Sequence, residues 1–161
     1  MIKRSILSVL ALCASVSPAI ASPYNDVRTN HLTRVVESTG ISFSTWDPYC
    51  EESGSYGFFQ PSKRKMVVCV TNHYENGKMD YYELGDTLRH EAIHVAQACY
   101  GNGTPKPILS WNQIAKYSNN NILSIVQRYP VDRQHVEYEA FTAAATMTNT
   151  QVAKIVRDFC F

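Results

Sequence analysis

The sequence predicts an α+β fold, with a small antiparallel or mixed sheet followed by a central helix and further C-terminal helices. Three observations lead there. Short alternating or β-branched runs, bounded by glycine and proline, lie before residue 72. A stretch free of both residues, Thr87 to Tyr100, follows them. Three more helical stretches fill most of what remains.

The start of the chain reads as a secretory signal peptide. Lys3 and Arg4 precede an apolar stretch from Ile6 to Val16, and Ala19 and Ala21 fit the small-x-small cleavage pattern. Cleavage is expected after Ala21, leaving residues 22–161 as one domain. The apolar run is shorter than the ~20 residues that span a bilayer. Next, Asn25 to Ser38 is loosely helical through Val27, Leu32, Val35 and Val36, and Gly40 closes it. Ile41 to Trp46 alternates as a strand does. Ser55–Gln60 and Lys65–Thr71 read as a hairpin joined through Pro61 to Arg64. Asp86 offers an N-cap for the helix Thr87–Tyr100, and Gly101-Asn102-Gly103 stops it. Asn121–Arg128, Val131–Met147 and Thr150–Phe159 complete the helices.

Lys3 and Arg4 are two of fifteen basic residues, so thirteen face fourteen acidic ones after cleavage. That near-neutral balance argues against a nucleic-acid or anionic-membrane partner. Lys63-Arg64-Lys65, between two apolar segments, reads as a solvated turn. A monomer, secreted or periplasmic, is expected. Cys13 belongs to the signal peptide, and Cys50, Cys69, Cys99 and Cys160 remain. An even number in an exported chain points to two disulfides. Of the three pairings, Cys50–Cys69 with Cys99–Cys160 is favoured, the first clipping neighbouring strands and the second tying the C-terminal segment to the central helix. No CxxC spacing supports a cysteine–zinc site. Asn102-Gly103-Thr104 is a glycosylation sequon that matters only in a eukaryotic secretory pathway.

The chemistry is concentrated in His90-Glu91-Ala92-Ile93-His94. Residues four apart on a helix differ by about 40° in direction and about 6 Å along the axis, so both imidazoles can reach one zinc ion. Glu91 stands beside that ion without binding it, where a general base takes a proton from water on the metal. Zinc lowers the pKa of such a water to about 7. A catalytic zinc takes a third protein ligand. Gln97 and Tyr100 stand where the metzincin pattern needs glycine and histidine. Glutamates from a later helix are the other source, and Glu137 and Glu139 both qualify. Two residues apart, they point about 200° from each other. The neighbours of Glu137 are Ala140, Phe141 and Ala144, a face suited to packing on another helix; those of Glu139 are His135, Thr142 and Thr146. Glu137 is the favoured ligand and Glu139 the alternative, otherwise a solvated surface charge.

With HExxH on one helix and Glu137-Tyr138-Glu139-Ala140 on a following one, the chain resembles the gluzincins, the thermolysin-like clan of zinc peptidases. Leu88 to Gln97 also looks like the active-site helix of minimal bacterial zincin domains. The resemblance covers Thr87–Cys99 and Val136–Ala144. It implies a zincin-like fold, zinc held by His90, His94 and Glu137, Glu91 as catalytic base, and a peptide or protein substrate. The clan often has Asp or Asn after the small residue, where this chain has Phe141. The clan's edge strand for extended substrate corresponds to Met66–Thr71. A His or Tyr usually faces the developing oxyanion, and none of the ten tyrosines stands out. His135 points away from Glu137 and reads as a surface histidine, and His31 and His73 have no assigned role. The other readings are a non-catalytic zinc protein, with a fourth ligand from Glu139, His135 or Cys99, and a disulfide-stapled binding module without metal.

Overall fold

A computed structural model describes residues 27–161; the expected signal peptide, residues 1–21, lies outside them. Helix α1, His31–Ser38, starts where the Asn30 side chain accepts from the Leu32 amide. Strand β1, Ser42–Ser44, follows and is shorter than the sequence suggests. Asp47-Pro48 then starts a helix beyond the alternating pattern, where no element was expected. This is α2, Pro48–Ser53, capped by the Asp47 carboxylate and closed at Gly54 with φ 64°. Strands β2, Gly57–Gln60, and β3, Lys65–Val68, form the expected hairpin, turning through a 3₁₀ segment at Pro61–Lys63.

The sheet order is β1-β3-β2, with β1 parallel and β2 antiparallel to β3. The α2 connection makes this mixed arrangement possible. It also corrects the edge-strand expectation: β3, which contains Met66, is the central strand, and β2 is at the edge. Val70–His73 forms a 3₁₀ turn instead of prolonging β3. The short strands β4, Tyr74–Glu75, and β5, Lys78–Met79, pair around Asn76-Gly77, both with positive φ.

The central helix α3 runs over Tyr81–Tyr100, starting six residues earlier than the sequence reading placed it. Its N-cap is Asp80, whose Oδ1 accepts from the amides of Tyr82 and Glu83. Gly85 lies inside the helix; its cost of about 1 kcal/mol relative to alanine is offset by this cap and by packing. Then come α4, Trp111–Ala115, α5, Asn120–Val126, α6, Val131–Thr146, and α7, Asn149–Cys160. Helix α3 packs on β2 and β3 and against α1, α6 and α7. Leu88, Ile93 and Val95 share the main core with Met66, Val36 and Val152.

Both favoured disulfides are present. Cys50–Cys69 joins α2 to the residue after β3, and so clips a helix to the sheet where two strands were expected. Cys99–Cys160 joins the last turns of α3 and α7. No helix among the described residues is long and apolar enough to cross a membrane.

Candidate metal centre

Helix α3 places His90 and His94 on one face, and α6 brings Glu137 against them. The two Nε2 atoms are 3.0 Å apart. Glu137 Oε2 is 3.3 Å from His90 Nε2 and 3.5 Å from His94 Nε2. A tetrahedron built on metal–ligand distances of about 2.0–2.1 Å has edges of about 3.3–3.4 Å, so the three atoms outline one of its faces. Two nitrogens and a carboxylate oxygen, buried together, form a donor set that fits a divalent ion. Among the described residues these three side chains form a group that could hold a metal.

The electrostatics follow from burial and proximity. Burial alone would raise the Glu137 carboxyl, but hydrogen bonds from His90 and His94, and their charges, hold it far below the usual range. Burial pulls the His94 ring down, yet the Glu137 hydrogen bond and the charges of Glu91 and Glu137 carry it above its ordinary value. Glu91 is pushed up, first by burial and then by the Glu137 charge, against the pull of the two imidazoles. The centre therefore gathers negative charge that a cation would neutralise.

The histidines have different supports. His94 Nδ1 lies 2.8 Å from Gln97 Oε1. Gln97, fully buried, donates through Nε2 to Glu139 Oε2 at 2.8 Å and to the Val136 carbonyl at 3.0 Å. Glu139 also accepts from the amides of Ile108 and Leu109, at 2.9 and 2.7 Å. The sequence reading of Glu139 as a solvated charge is thus overturned: it is as buried as Glu137. The two carboxylates do face apart, but the polar side of α6 is covered by Gln97 and by the loop before α4. His90 Nδ1, in contrast, is buried with no hydrogen-bond partner among the described residues. Its ring packs edge-on against Phe141, 4.3 Å between centroids. Phe141, the residue after Ala140, thus gives His90 a ring contact in place of a hydrogen bond.

A cleft of about 520 Å³ opens over His90 and Glu91. One wall is Tyr56 and Gly57 of the β2 segment with Glu83, Asp86 and Thr87 of α3; the other is Ile122, Ile125, Tyr129 and Phe141. A Cβ on Gly57 would stand 2.7 Å from Thr87 Cγ2 and 3.0 Å from Glu91 Cγ, so the missing side chain lets β2 lie directly on α3. Cys69 N donates to Tyr56 O, which fixes the ladder phase and turns the Gly57 and Phe59 peptide groups to the outer edge of β2. Tyr129 is half-buried, and burial with the charges of Glu137 and Glu91 pushes its hydroxyl up to about 12. Tyr56 and Tyr129 are the tyrosines that line this cleft. Gln97 was legible in principle, since residues three apart on a helix touch.

The other histidines stay apart from the centre. His135 Nε2 meets the Leu109 carbonyl at 2.9 Å and its ring lies on Trp111, so it is half-buried and not free on the surface. His31 approaches Arg157 at 3.4 Å. His73 is buried between the Cys69 carbonyl and the Thr87 hydroxyl, 3.0 Å from each.

The chain belongs to a family described as a domain of unknown function, DUF8637, whose model matches residues 24–161. No curated protein and no solved structure matches it.

Proposed function

We propose that this chain is a secreted or periplasmic zinc-dependent peptidase of gluzincin type, with a zincin-like fold. The observation that carries the reading is the convergence of His90, His94 and Glu137 on one point, with Glu91 beside it on the cleft floor. Zinc bound there supplies Lewis acidity toward a carbonyl oxygen and toward water. His90, His94 and Glu137 hold it, and three protein ligands leave the cleft side open.

Glu91 accepts the proton of the attacking water and passes it to the leaving nitrogen. Its upward-pushed carboxyl suits it to hold that proton between the two steps. Tyr129, on the cleft wall with a hydroxyl that is protonated at neutral pH, hydrogen-bonds the developing oxyanion. An extended peptide pairs with the outward groups of Gly57 and Phe59, so β2 takes the role that the resemblance implied for β3. Two disulfides support an oxidising compartment.

The non-catalytic alternative needs a fourth protein ligand, and its three candidates are engaged elsewhere. Glu139 holds Gln97 and two amides, His135 meets the Leu109 carbonyl, and Cys99 is in a disulfide.

The test is zinc per chain together with cleavage of a mixed peptide library. The native chain should bind one zinc and cleave. Glu91→Gln should keep zinc and lose about 10²–10⁴-fold in rate, the usual worth of a general base. Glu137→Ala should lose zinc. A native chain that binds zinc and cleaves no peptide leaves the non-catalytic metal protein; one that binds none leaves the stapled module.

A further inference from the structure

We infer that Glu139, acting through Gln97, sets the tautomer of His94 and thereby presents its Nε2 lone pair to the metal. The inference rests on the metal reading of the three ligands and not on peptidase activity. It follows from which atoms can donate and which can only accept. The Val136 carbonyl and the Glu139 carboxylate are acceptors, and both lie against the same end of the Gln97 amide, at 3.0 and 2.8 Å. That end must be the NH₂ group. The opposite end is therefore the carbonyl oxygen, which faces His94 Nδ1 at 2.8 Å. An oxygen there requires a proton on Nδ1. A neutral imidazole carries one proton, so Nε2 is left bare, toward His90 and Glu137.

Glu139 is itself held in place. The amides of Ile108 and Leu109 donate to its two oxygens, so the loop before α4 fixes the carboxylate that fixes the amide. Gln97 and Glu139 are both buried, which excludes water as a competing partner. Neither touches the reacting atoms, so they are positioning residues. The carboxylate two places after the ligand Glu137 thus serves the same ion from behind. Phe141 supplies no such support to His90, whose Nδ1 has no partner. The asymmetry assigns the fixed tautomer to His94 alone.

The first measurement is a long-range ¹⁵N–¹H correlation spectrum of the metal-free chain with both disulfides formed, at a pH where the ring is neutral. His94 should carry its proton on Nδ1; a proton on Nε2 overturns the inference without any variant. The second is zinc affinity by competition with a chromophoric chelator. In Glu139→Gln the charged acceptor of the Gln97 NH₂ is lost and the Val136 carbonyl alone holds the amide's orientation, so His94 should show mixed tautomers and zinc should bind about 10–100-fold more weakly. A Glu139→Gln chain that keeps the Nδ1 proton and binds zinc within twofold of native overturns the inference. If the native chain shows the Nδ1 tautomer but takes no zinc, the proposed function fails and the tautomer assignment stands.

Discussion

His94 and His90 lie one helical turn apart and reach the same point, yet their far nitrogens meet opposite surroundings. Behind His94 runs a buried polar chain through Gln97 and Glu139 to two loop amides. Behind His90 is an aromatic edge and an orphaned nitrogen. The polar chain runs between α3, α6 and the loop before α4; Phe141, with Tyr129, faces the cleft. One half of the centre is held by directional bonds, which fix angle and tautomer. The other is held by shape, which fixes position but tolerates rotation. Rigidity is concentrated on the side away from the cleft, and the apolar, adaptable side is where a substrate would pass.

The largest effect expected from this contrast is on stability. Gln97→Leu leaves the buried His94 Nδ1 without its acceptor and removes one of the donors to the Val136 carbonyl and to Glu139 Oε2, which keep the helix bond and the Ile108 amide. One unsatisfied buried group at about 1–3 kcal/mol and two lost hydrogen bonds at about 1 kcal/mol each put the loss at about 3 kcal/mol in urea unfolding. Phe141→Ala removes a half-buried ring and should cost less, about 2 kcal/mol, below the range for a fully buried phenylalanine. Zinc affinity should separate them in the same order, with Gln97→Leu weakened about 10–100-fold and Phe141→Ala only a few-fold. The comparison breaks if Phe141→Ala loses as much zinc affinity as Gln97→Leu.

A smaller effect tests the opposite wall. In Gly57→Ala the new Cβ meets Thr87 Cγ2, Glu91 Cγ and the Val67 carbonyl, so β2 or the Glu91 side chain must shift. Overpacking of this kind costs about 1–3 kcal/mol; the closest contact is the stiff Thr87 side chain, whose hydroxyl is bonded to His73, so about 2 kcal/mol is expected. Zinc content should stay at the native level while hydrolysis falls about tenfold or more, because a displaced base loses its approach to the water. Loss of zinc in this variant would show that the β2 wall supports the ligands as well as the base.

Much of this arrangement was legible in the sequence where chemistry and periodicity coincide. His90, Glu91 and His94 announce themselves by spacing, and Glu137 by the small residues on its face. That the four cysteines form two disulfides was also readable, while the pairing seen was only the favoured one of three. The rest depended on which surfaces tertiary packing covers. Glu139 looked solvated because its neighbours His135, Thr142 and Thr146 are polar, but periodicity cannot show that a loop from residues 104–110 will donate two amides to it. Helix α2 lies just past the alternating stretch, where no element was expected, although Asp47-Pro48 is a legitimate helix start. The Asn76-Gly77 turn carried a hairpin signal that the reading passed over. Strand order was not readable, since placing β1 beside β3 depends on how α2 crosses.

The smallest effect concerns a third histidine, which sharpens the contrast by having no carboxylate against it. His73 has partners on both nitrogens, the Cys69 carbonyl and the Thr87 hydroxyl. Burial lowers its pKa, and the Cys69 hydrogen bond and the Asp80 charge only partly oppose that. His94, buried too, is carried the other way by Glu137 and Glu91. With a folded value below the unfolded one of about 6.5, the unfolded chain takes up the proton first as pH falls. The stability of the neutral, buried ring is therefore full above about pH 6.5 and is lost as pH drops from there through the folded value. One proton limits the slope to about 1.4 kcal/mol per pH unit. Urea unfolding of the metal-free chain between pH 8 and pH 5 should show this slope as the difference between the native protein and His73→Gln. Comparing the two cancels the titration of His90, His94 and Glu137, which both proteins share. Equal slopes would mean that His73 is protonated as readily folded as unfolded. The Thr87 hydroxyl would then be accepting a proton from a charged ring, and the depressed value would have to be abandoned.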